Sequence, residues 1–347
     1  MRLGVVPTTA RPTKRRLLDS LCTWFLAALS AAGILALGGA FSRTLDLLTH
    51  ATPLFTLAGA GLLALSLRPW ARSWPLAALG GVALLGGAAL LWPDMAAGWS
   101  EPRARQADSP RVTVITQNLW QGNGEPGATA AAILAADADV VILQEARGGG
   151  ADVVRRVARA YPYRANCLEK SHWCYMAIFS KRPIRNWTYH VANWQPPEYD
   201  RLSLIRATIQ GPDGRDFEVI GTHLIHPDPK GEGEQQARQV VEAVADADPR
   251  TAILVGDFNR VPWSFAMRRI DERVTLRRRT HGLATWPHRL PTDDGGLPLP
   301  LPVLPIDQVF AGSDWRVVST RRAIGAGSDH YGVVATLALE PNAALKP

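Results

Sequence analysis

Residues 253–259, Ile253-Leu254-Val255-Gly256-Asp257-Phe258-Asn259, read as a short apolar strand that ends in polar chemistry. Alternate side chains of an extended segment share a face, which sets Asp257 and Asn259 side by side. Gly256 permits the close approach of a second backbone or of a ligand. A carboxylate and an amide held together at a strand end suit a phosphate and a divalent cation. A strand running into an ordinary turn would also use Gly, Asp and Asn. Four further strand ends in the chain finish in similar groups, and they tip the balance toward the first reading.

Outward from this strand, residues 111–340 alternate between strand and helix patterns. A strand over 112–116 runs into Gln117-Asn118-Leu119-Trp120, and a buried strand over 140–143 ends in Gln144-Glu145. A strand over 217–223 closes with Gly221-Thr222-His223. The last motif pairs Ile306-Asp307 with Ser328-Asp329-His330. Further strands are predicted over 175–180, 202–209, 306–310, 315–320 and 333–339. Helices are predicted over 126–136, opened by Pro126, and over 151–160 and 231–247. Residues 271–305 read as irregular, with a basic run Arg277-Arg278-Arg279 followed by a Pro/Gly-rich loop. Mixed strands and helices with tight strand-to-strand turns predict an α/β fold, a four-layer sandwich of two packed mixed β-sheets flanked by helices.

The first part of the chain is different. Between Leu21 and Trp92 it is dominated by Leu, Ala and Gly, in apolar segments over 21–41, 53–67 and 74–92. The second begins at 53 or as early as 45. The first is long enough to cross a bilayer, and the third has tryptophan at both ends, where interfacial aromatics belong. The expected organisation is therefore a cytoplasmic N-terminus (1–16), an anchor of three transmembrane helices (17–92), a Pro-rich linker (93–110), a soluble domain (111–340) and a short tail (341–347). Nine of the 38 basic residues but only four of the 31 acidic ones precede position 104. The positive balance of the chain, +7, is thus concentrated around the apolar segments, where it sets topology. A high pI is weak support for a nucleic-acid partner here. Lys14-Arg15-Arg16, Arg68 and Arg72 put the N-terminus and the second loop in the cytoplasm, and three crossings put the soluble domain outside it.

The five strand-end motifs, in this order, resemble the endonuclease/exonuclease/phosphatase superfamily, over nearly the whole of the soluble part. That superfamily includes pancreatic deoxyribonuclease, abasic-site endonucleases, inositol-polyphosphate phosphatases and bacterial sphingomyelinases. The resemblance implies a metal-dependent phosphoric ester hydrolase using Mg²⁺ or Mn²⁺. Glu145 is then the principal metal ligand, with Asn118 beside it and Asp329 near the ion. Asp257 orients or deprotonates the attacking water, and Asn259 holds that water or a phosphate oxygen. His330 contacts the phosphate with its ring fixed by Asp307, and His223 donates to a phosphate oxygen or the leaving group. The chemistry agrees: phosphoester cleavage needs charge neutralisation, an activated water and donors for the non-bridging oxygens.

Two departures count against an abasic-site specialist. Trp120 stands where those enzymes carry an acid, and Tyr331-Gly332 follow the last motif where many members have a proline at the second position. The run Ala284-Thr285-Trp286-Pro287 resembles a segment of membrane-anchored bacterial members, which implies a multi-pass protein of the bacterial inner membrane. Trp286 is expected to be buried, or to stack on a base or sugar. Arg277–Arg279 is read as a solvated run or as a contact for an anionic substrate. The substrate class stays open among nucleic acid, phospholipid and small phosphoesters such as sugar or inositol phosphates. A membrane-tethered, non-catalytic binding domain is the contrasting reading, and the complete set of site residues argues against it. Cys167 and Cys174 close a short loop and would form a disulfide outside the cytoplasm, the alternative being two free thiols.

Overall fold

The computed structural model describes residues 14–68, 72–168, 175–190, 202–290 and 296–340. The chain divides into two compact units, Met1–Trp92 and Pro93–Pro347.

The helices that begin in the first unit are α1 (Lys14–Leu37), the short α2 (Arg43–Asp46), α3 (Thr52–Ser66) and α4 (Trp74–Ser100). Three helical stretches, Leu18–Ala40, Arg43–Ser66 and Trp74–Ser100, are long and apolar enough to cross a membrane. The second starts at Arg43, because α2 and a 3₁₀ turn lead directly into α3. Large apolar side chains such as Trp24, Phe25, Leu57 and Leu85 point outward. Inside, Gly59 of α3 and Gly80 of α4 lie backbone to backbone. A Cβ on Gly59 would sit 2.8 Å from the Gly80 carbonyl, so small residues set this crossing.

The second unit holds two six-stranded sheets. Its strands are β1 (Arg111–Asn118), β2 (Val140–Gln144), β3 (Tyr163–Asn166), β4 (Ala177–Ser180), β5 (Ile184–Tyr189), β6 (Ser203–Gln210), β7 (Asp216–His223), β8 (Ile253–Asp257), β9 (Arg277–Arg278), β10 (Arg289–Leu290), β11 (Leu297–Pro298), β12 (Asp307–Ala311), β13 (Trp315–Arg322) and β14 (Val333–Leu339). The first sheet runs β13-β14-β1-β2-β4-β3 and the second β5-β6-β7-β8-β12-β9, while β10 and β11 form a separate hairpin. Only β1–β2 and β7–β8 pair in parallel among these strands, so the C-terminal ends of four strands lie together in two pairs.

Strand periodicity explains the layers. Val140 and Ile142 of β2, with Ile253 and Val255 of β8, join the core between the sheets. The alternate residues Val141 and Leu143 pack outward under α5 (Pro126–Ala135) and α6 (Gly149–Val157), with Ile133, Val153 and Val157. Leu254 and Phe310 face the other way, onto α7 (Glu232–Ala245) and α8 (Phe265–Arg273), with Val240, Val244, Met267 and Ile270. Four layers result, as predicted.

The structure adds elements that sequence pattern did not give. β3, β5, β9, the β10–β11 hairpin and α8 are new; α8 is capped by Ser264, whose hydroxyl accepts the Met267 N–H at 3.1 Å. The stretch expected to be a linker is helical as far as Ser100, with Pro93 inside the helix. Buried Asp94 then accepts from the Gly282 N–H at 3.0 Å and pairs with Arg278 and His281, while Glu101 pairs with Arg279 at 2.7 Å. The basic run is thus neither a solvated face nor open to substrate: Arg278 and Arg279 are tied to acids far away in sequence, and only Arg277 is exposed. Cys167 is disulfide-bonded and Cys22 is free, whereas Cys174, its expected partner, lies outside the described residues.

Candidate active site

The paired strand ends bring the sequence motifs together. His223, the last residue of β7, lies opposite Asp257 of β8, and Asp257 lies opposite Asp307 of β12. Gly256 makes this possible. It has φ +151°, and a Cβ there would fall 1.9 Å from the Thr222 carbonyl oxygen, so any side chain would part β7 from β8. Three residues at the mouth of the site hold left-handed backbone without being glycine: Trp120 (φ 53°), Glu145 (φ 52°) and Asn259 (φ 52°). Such conformations cost of order 1–3 kcal/mol each and persist where the surroundings impose them.

Asp257 is the centre. It is wholly buried, and its Oδ1 accepts the Asn259 N–H at 2.7 Å. Its Oδ2 accepts from Asn118 Nδ2 at 3.0 Å and lies 3.7 Å from both His223 Nε2 and His330 Nε2. Asn118 Nδ2 also donates to Glu145 Oε1 at 3.1 Å, so one amide joins a carboxylate from each sheet. Sequence reading made Asn118 a metal ligand beside Glu145. In the structure its carbonyl oxygen accepts the Trp120 N–H at 2.9 Å, which fixes the amide so that its nitrogen faces the two acids. Glu145 Oε2 takes the Gln121 N–H at 3.1 Å. Asn259 Nδ2 donates to the Leu224 carbonyl at 2.8 Å and sits 3.4 Å from His223 Nε2.

On the other side, His330 Nδ1 and Asp307 Oδ2 are 2.9 Å apart, which orients the ring and leaves Nε2 toward Asp257. Asp329 Oδ1 is 4.0 Å from His330 Nε2, and its Oδ2 accepts the Trp286 indole N–H at 3.1 Å. Three contributions here were not assigned from sequence. Gln117 Nε2 donates to the His330 carbonyl at 3.0 Å, and Ser328 Oγ donates to the Asn118 carbonyl at 2.7 Å. These two bonds staple the last motif to the end of β1. Trp286 is the third: expected to be buried, it is half-buried and hydrogen-bonded to an acid of the site. Gln117 and Ser328 were within the motifs read, but nothing in a linear motif tells a staple from a ligand.

The electrostatics separate the acids. Burial opposes ionisation of Glu145, yet the His223 imidazole, the Asn118 amide and the Gln121 N–H outweigh it and hold its carboxyl below the usual range. Burial, followed by the neighbouring Asp307 charge, pushes Asp257 up. Burial likewise raises Asp329, helped by Glu145. Burial works against the charged His330 ring, but Asp307 and Asp257 overcome it and push it up to about 10.

The donor set fits a hard divalent cation. Asp307 Oδ1 and Asp329 Oδ1 are buried with no hydrogen-bond partner among the described residues, an arrangement that is costly unless something positive completes it. Asp257, Asp307 and His330 can bring ligand atoms within 4.8 Å of one another. Carboxylate oxygens of this kind suit Mg²⁺ or Mn²⁺.

The fold recurs in solved structures. Sphingomyelinase C from Streptomyces griseocarneus superposes with a TM-score of 0.51 at 19% identity, over 66% of this chain and 99% of that one. TDP2 from D. rerio, complexed with single-strand DNA product, gives 0.52 at 15% identity, over 65% and 98%. An endonuclease/exonuclease/phosphatase protein from Beutenbergia cavernae DSM 12333 is 24% identical, with a TM-score of 0.49 over 67% and 72%. No curated protein matches this chain in sequence. The profile of the Endonuclease/Exonuclease/phosphatase family matches residues 115–330, from within β1 to His330, and so takes in every motif of the site. The chain therefore belongs to the endonuclease/exonuclease/phosphatase family, whose members hydrolyse phosphoric esters.

Proposed function

We propose that this chain is a membrane-anchored phosphodiesterase, dependent on a divalent cation, with Asp257 as the base that activates water. The observation that carries the reading is geometric: the Asn118 amide joins Glu145 Oε1 to the buried Asp257 Oδ2, which lies 3.7 Å from both His223 Nε2 and His330 Nε2. Glu145 stays ionised and suits a ligand, while Asp257 is raised toward the range in which a carboxylate accepts a proton. Glu145 and Asp329 would hold Mg²⁺ or Mn²⁺. A cation bound there would supply Lewis-acid neutralisation of the phosphoryl oxygens. Asn118 and the Asn259 N–H fix the rotation of Asp257, so that it takes a proton from a water at Oδ2. His330, charged and held by Asp307, donates from Nε2 to a non-bridging oxygen. His223 stands in the groove that also includes Glu145, Asn259 and the 225–230 loop, where it can donate to the leaving group.

Solved structures of similar fold include a sphingomyelinase and a protein holding a single-strand DNA product, so both lipid and nucleic-acid diesters belong in the assay. The basic-residue count further supports a cytoplasmic N-terminus and a catalytic domain, 111–340, outside the cytoplasm of a bacterial inner membrane. The test uses the full chain in detergent with bis(p-nitrophenyl) phosphate and p-nitrophenyl phosphate. Turnover of the diester, abolished by EDTA and restored by Mg²⁺ or Mn²⁺, is expected. Undiminished turnover after complete removal of metal, or turnover of the monoester alone, would overturn the reading.

A further inference from the structure

The last turns of α4 carry two opposed stripes. Trp92, Met95 and Trp99 recur at helical spacing and are 57%, 48% and 72% exposed. The opposite face turns inward. Asp94 pairs with Arg278 and His281, Ala97 lines a cleft, and Glu101, just past the helix end, pairs with Arg279. α4 is long and apolar enough to cross a membrane, and tryptophans exposed at the end of such a helix belong at the membrane–water interface. At ~1.5 Å per residue, Ala97 stands about 8 Å beyond Trp92, the thickness of one headgroup layer. The cleft beside Ala97 is therefore at the level of lipid headgroups.

The cleft opens between the inward face of α4 and the chain that leaves α8. Its volume is about 470 Å³, and its lining includes Glu101, Asp271, Thr275 and Arg277. That is room for about fifteen waters at ~30 Å³ each, and so for a phosphate with the groups esterified to it. The acids of the cleft are already occupied, Glu101 by Arg279 at 2.7 Å and Asp271 by Arg278 at 3.0 Å. Arg277 is left over. Strand alternation turns it outward with Thr275, while Leu276 is buried and the Arg278 side chain is 8% exposed. Neither the Arg277 guanidinium nor the Thr275 hydroxyl has a hydrogen-bond or ion-pair partner among the described residues. A guanidinium beside a hydroxyl suits phosphate oxygens, and one unbalanced positive charge at a membrane surface favours an anionic lipid. The cleft is separate from the catalytic constellation. Arg277 pairs with Ala311 at one end of β12, and Asp307 stands at the other, about 13 Å along the strand at ~3.3 Å per residue.

We propose that this cleft binds the headgroup of an anionic phospholipid, its phosphate pairing with Arg277 and accepting from the Thr275 hydroxyl. The lipid is held there and not cleaved. The proposal goes beyond the reaction proposed above and rests only on the part of that reading that puts α4 in a membrane.

The test compares the full chain with Arg277→Glu and Arg277→Lys, and with Arg159→Glu, in the exposed turn after α6, as a charge-matched control. Binding of phosphatidylglycerol labelled with a fluorophore on one acyl chain is followed by anisotropy in dodecyl maltoside with EDTA. The competitors are unlabelled phosphatidylglycerol, phosphatidylcholine, diacylglycerol, which lacks the phosphate, and water-soluble glycerophosphoglycerol. Arg277→Glu should bind about tenfold more weakly, since it removes one basic residue and adds an acid. Arg277→Lys should fall between Arg277→Glu and wild type, Arg159→Glu should match wild type, and all four melting temperatures should agree. Phosphatidylglycerol should be the strongest competitor. Binding by Arg277→Glu equal to wild type, an equal loss in Arg159→Glu, or equal competition by phosphatidylcholine or diacylglycerol would each overturn the proposal. Equal competition by glycerophosphoglycerol would show a site for a free phosphodiester and overturn the lipid assignment. If carbonate extraction released the chain from membranes, the membrane reading would fail and the proposal with it. A chain that stays in the membrane but fails a binding arm overturns the proposal alone.

Discussion

Trp286 donates its indole N–H to Asp329 Oδ2 at 3.1 Å, while Asp329 Oδ1 stays buried with no hydrogen-bond partner among the described residues. One oxygen is thereby occupied and the rotation of the carboxylate is fixed. If Asp329 helps to hold the cation, Trp286 is a positioning residue for it. Trp286→Phe keeps the ring and removes the donor. Partners of this kind are typically worth 10–100-fold in metal affinity. The variant should need about tenfold more Mg²⁺ for half-maximal turnover and recover near-normal kcat at saturation. A metal titration that superimposes on wild type would remove Trp286 from this role.

The Asp307–His330 pair calls for a double-mutant cycle. Asp307 works through the ring that it orients, so its loss should matter only while the ring is present. His330→Ala should lower kcat by on the order of 10²-fold or more, in line with a positioned proton donor. Asp307→Ala should be harmful in the wild type and nearly silent in the His330→Ala background. Additive losses in kcat would show that Asp307 acts independently of the histidine.

The same pair predicts a pH dependence of stability. His330 is pushed up to about 10 in the folded chain, burial being outweighed by Asp307 and Asp257. The unfolded value is about 6.5. A histidine raised in this way contributes its full stabilisation below about pH 6.5, and that contribution is lost as pH rises through about 10. In EDTA, the melting temperature of the wild type should therefore fall between about pH 7 and about 10 more steeply than that of His330→Gln. Parallel slopes for the two proteins would contradict the assignment.

Sequence pattern carried much of the catalytic unit because its layers are built on strict alternation. β8 and β14 have the predicted bounds, and the strand ends bearing Asn118, Glu145, His223, Asp257 and Asp307 converge through the parallel pairs β1–β2 and β7–β8 and the antiparallel pair β8–β12. What escaped was contact between distant segments. Arg278 and Arg279 look like a surface run until Asp94 and Glu101, more than 170 residues earlier, are found against them. Asn118 stands beside Glu145 as expected, but no linear pattern shows that its amide nitrogen also reaches Asp257, 139 residues later. α8 hid because its sequence, Phe265 to Arg273, is mostly charged, and only Met267 and Ile270 are buried.

The most direct test of the central claim is kcat of Asp257→Asn on bis(p-nitrophenyl) phosphate at saturating Mg²⁺, in a protein whose melting temperature matches wild type. Asparagine fills the same space and can still accept the Asn259 N–H, but it cannot take a proton. A fall in kcat of about 10²-fold or more is expected, with KM little changed. A folded Asp257→Asn chain that retained near-normal kcat would contradict the account and remove Asp257 as the base.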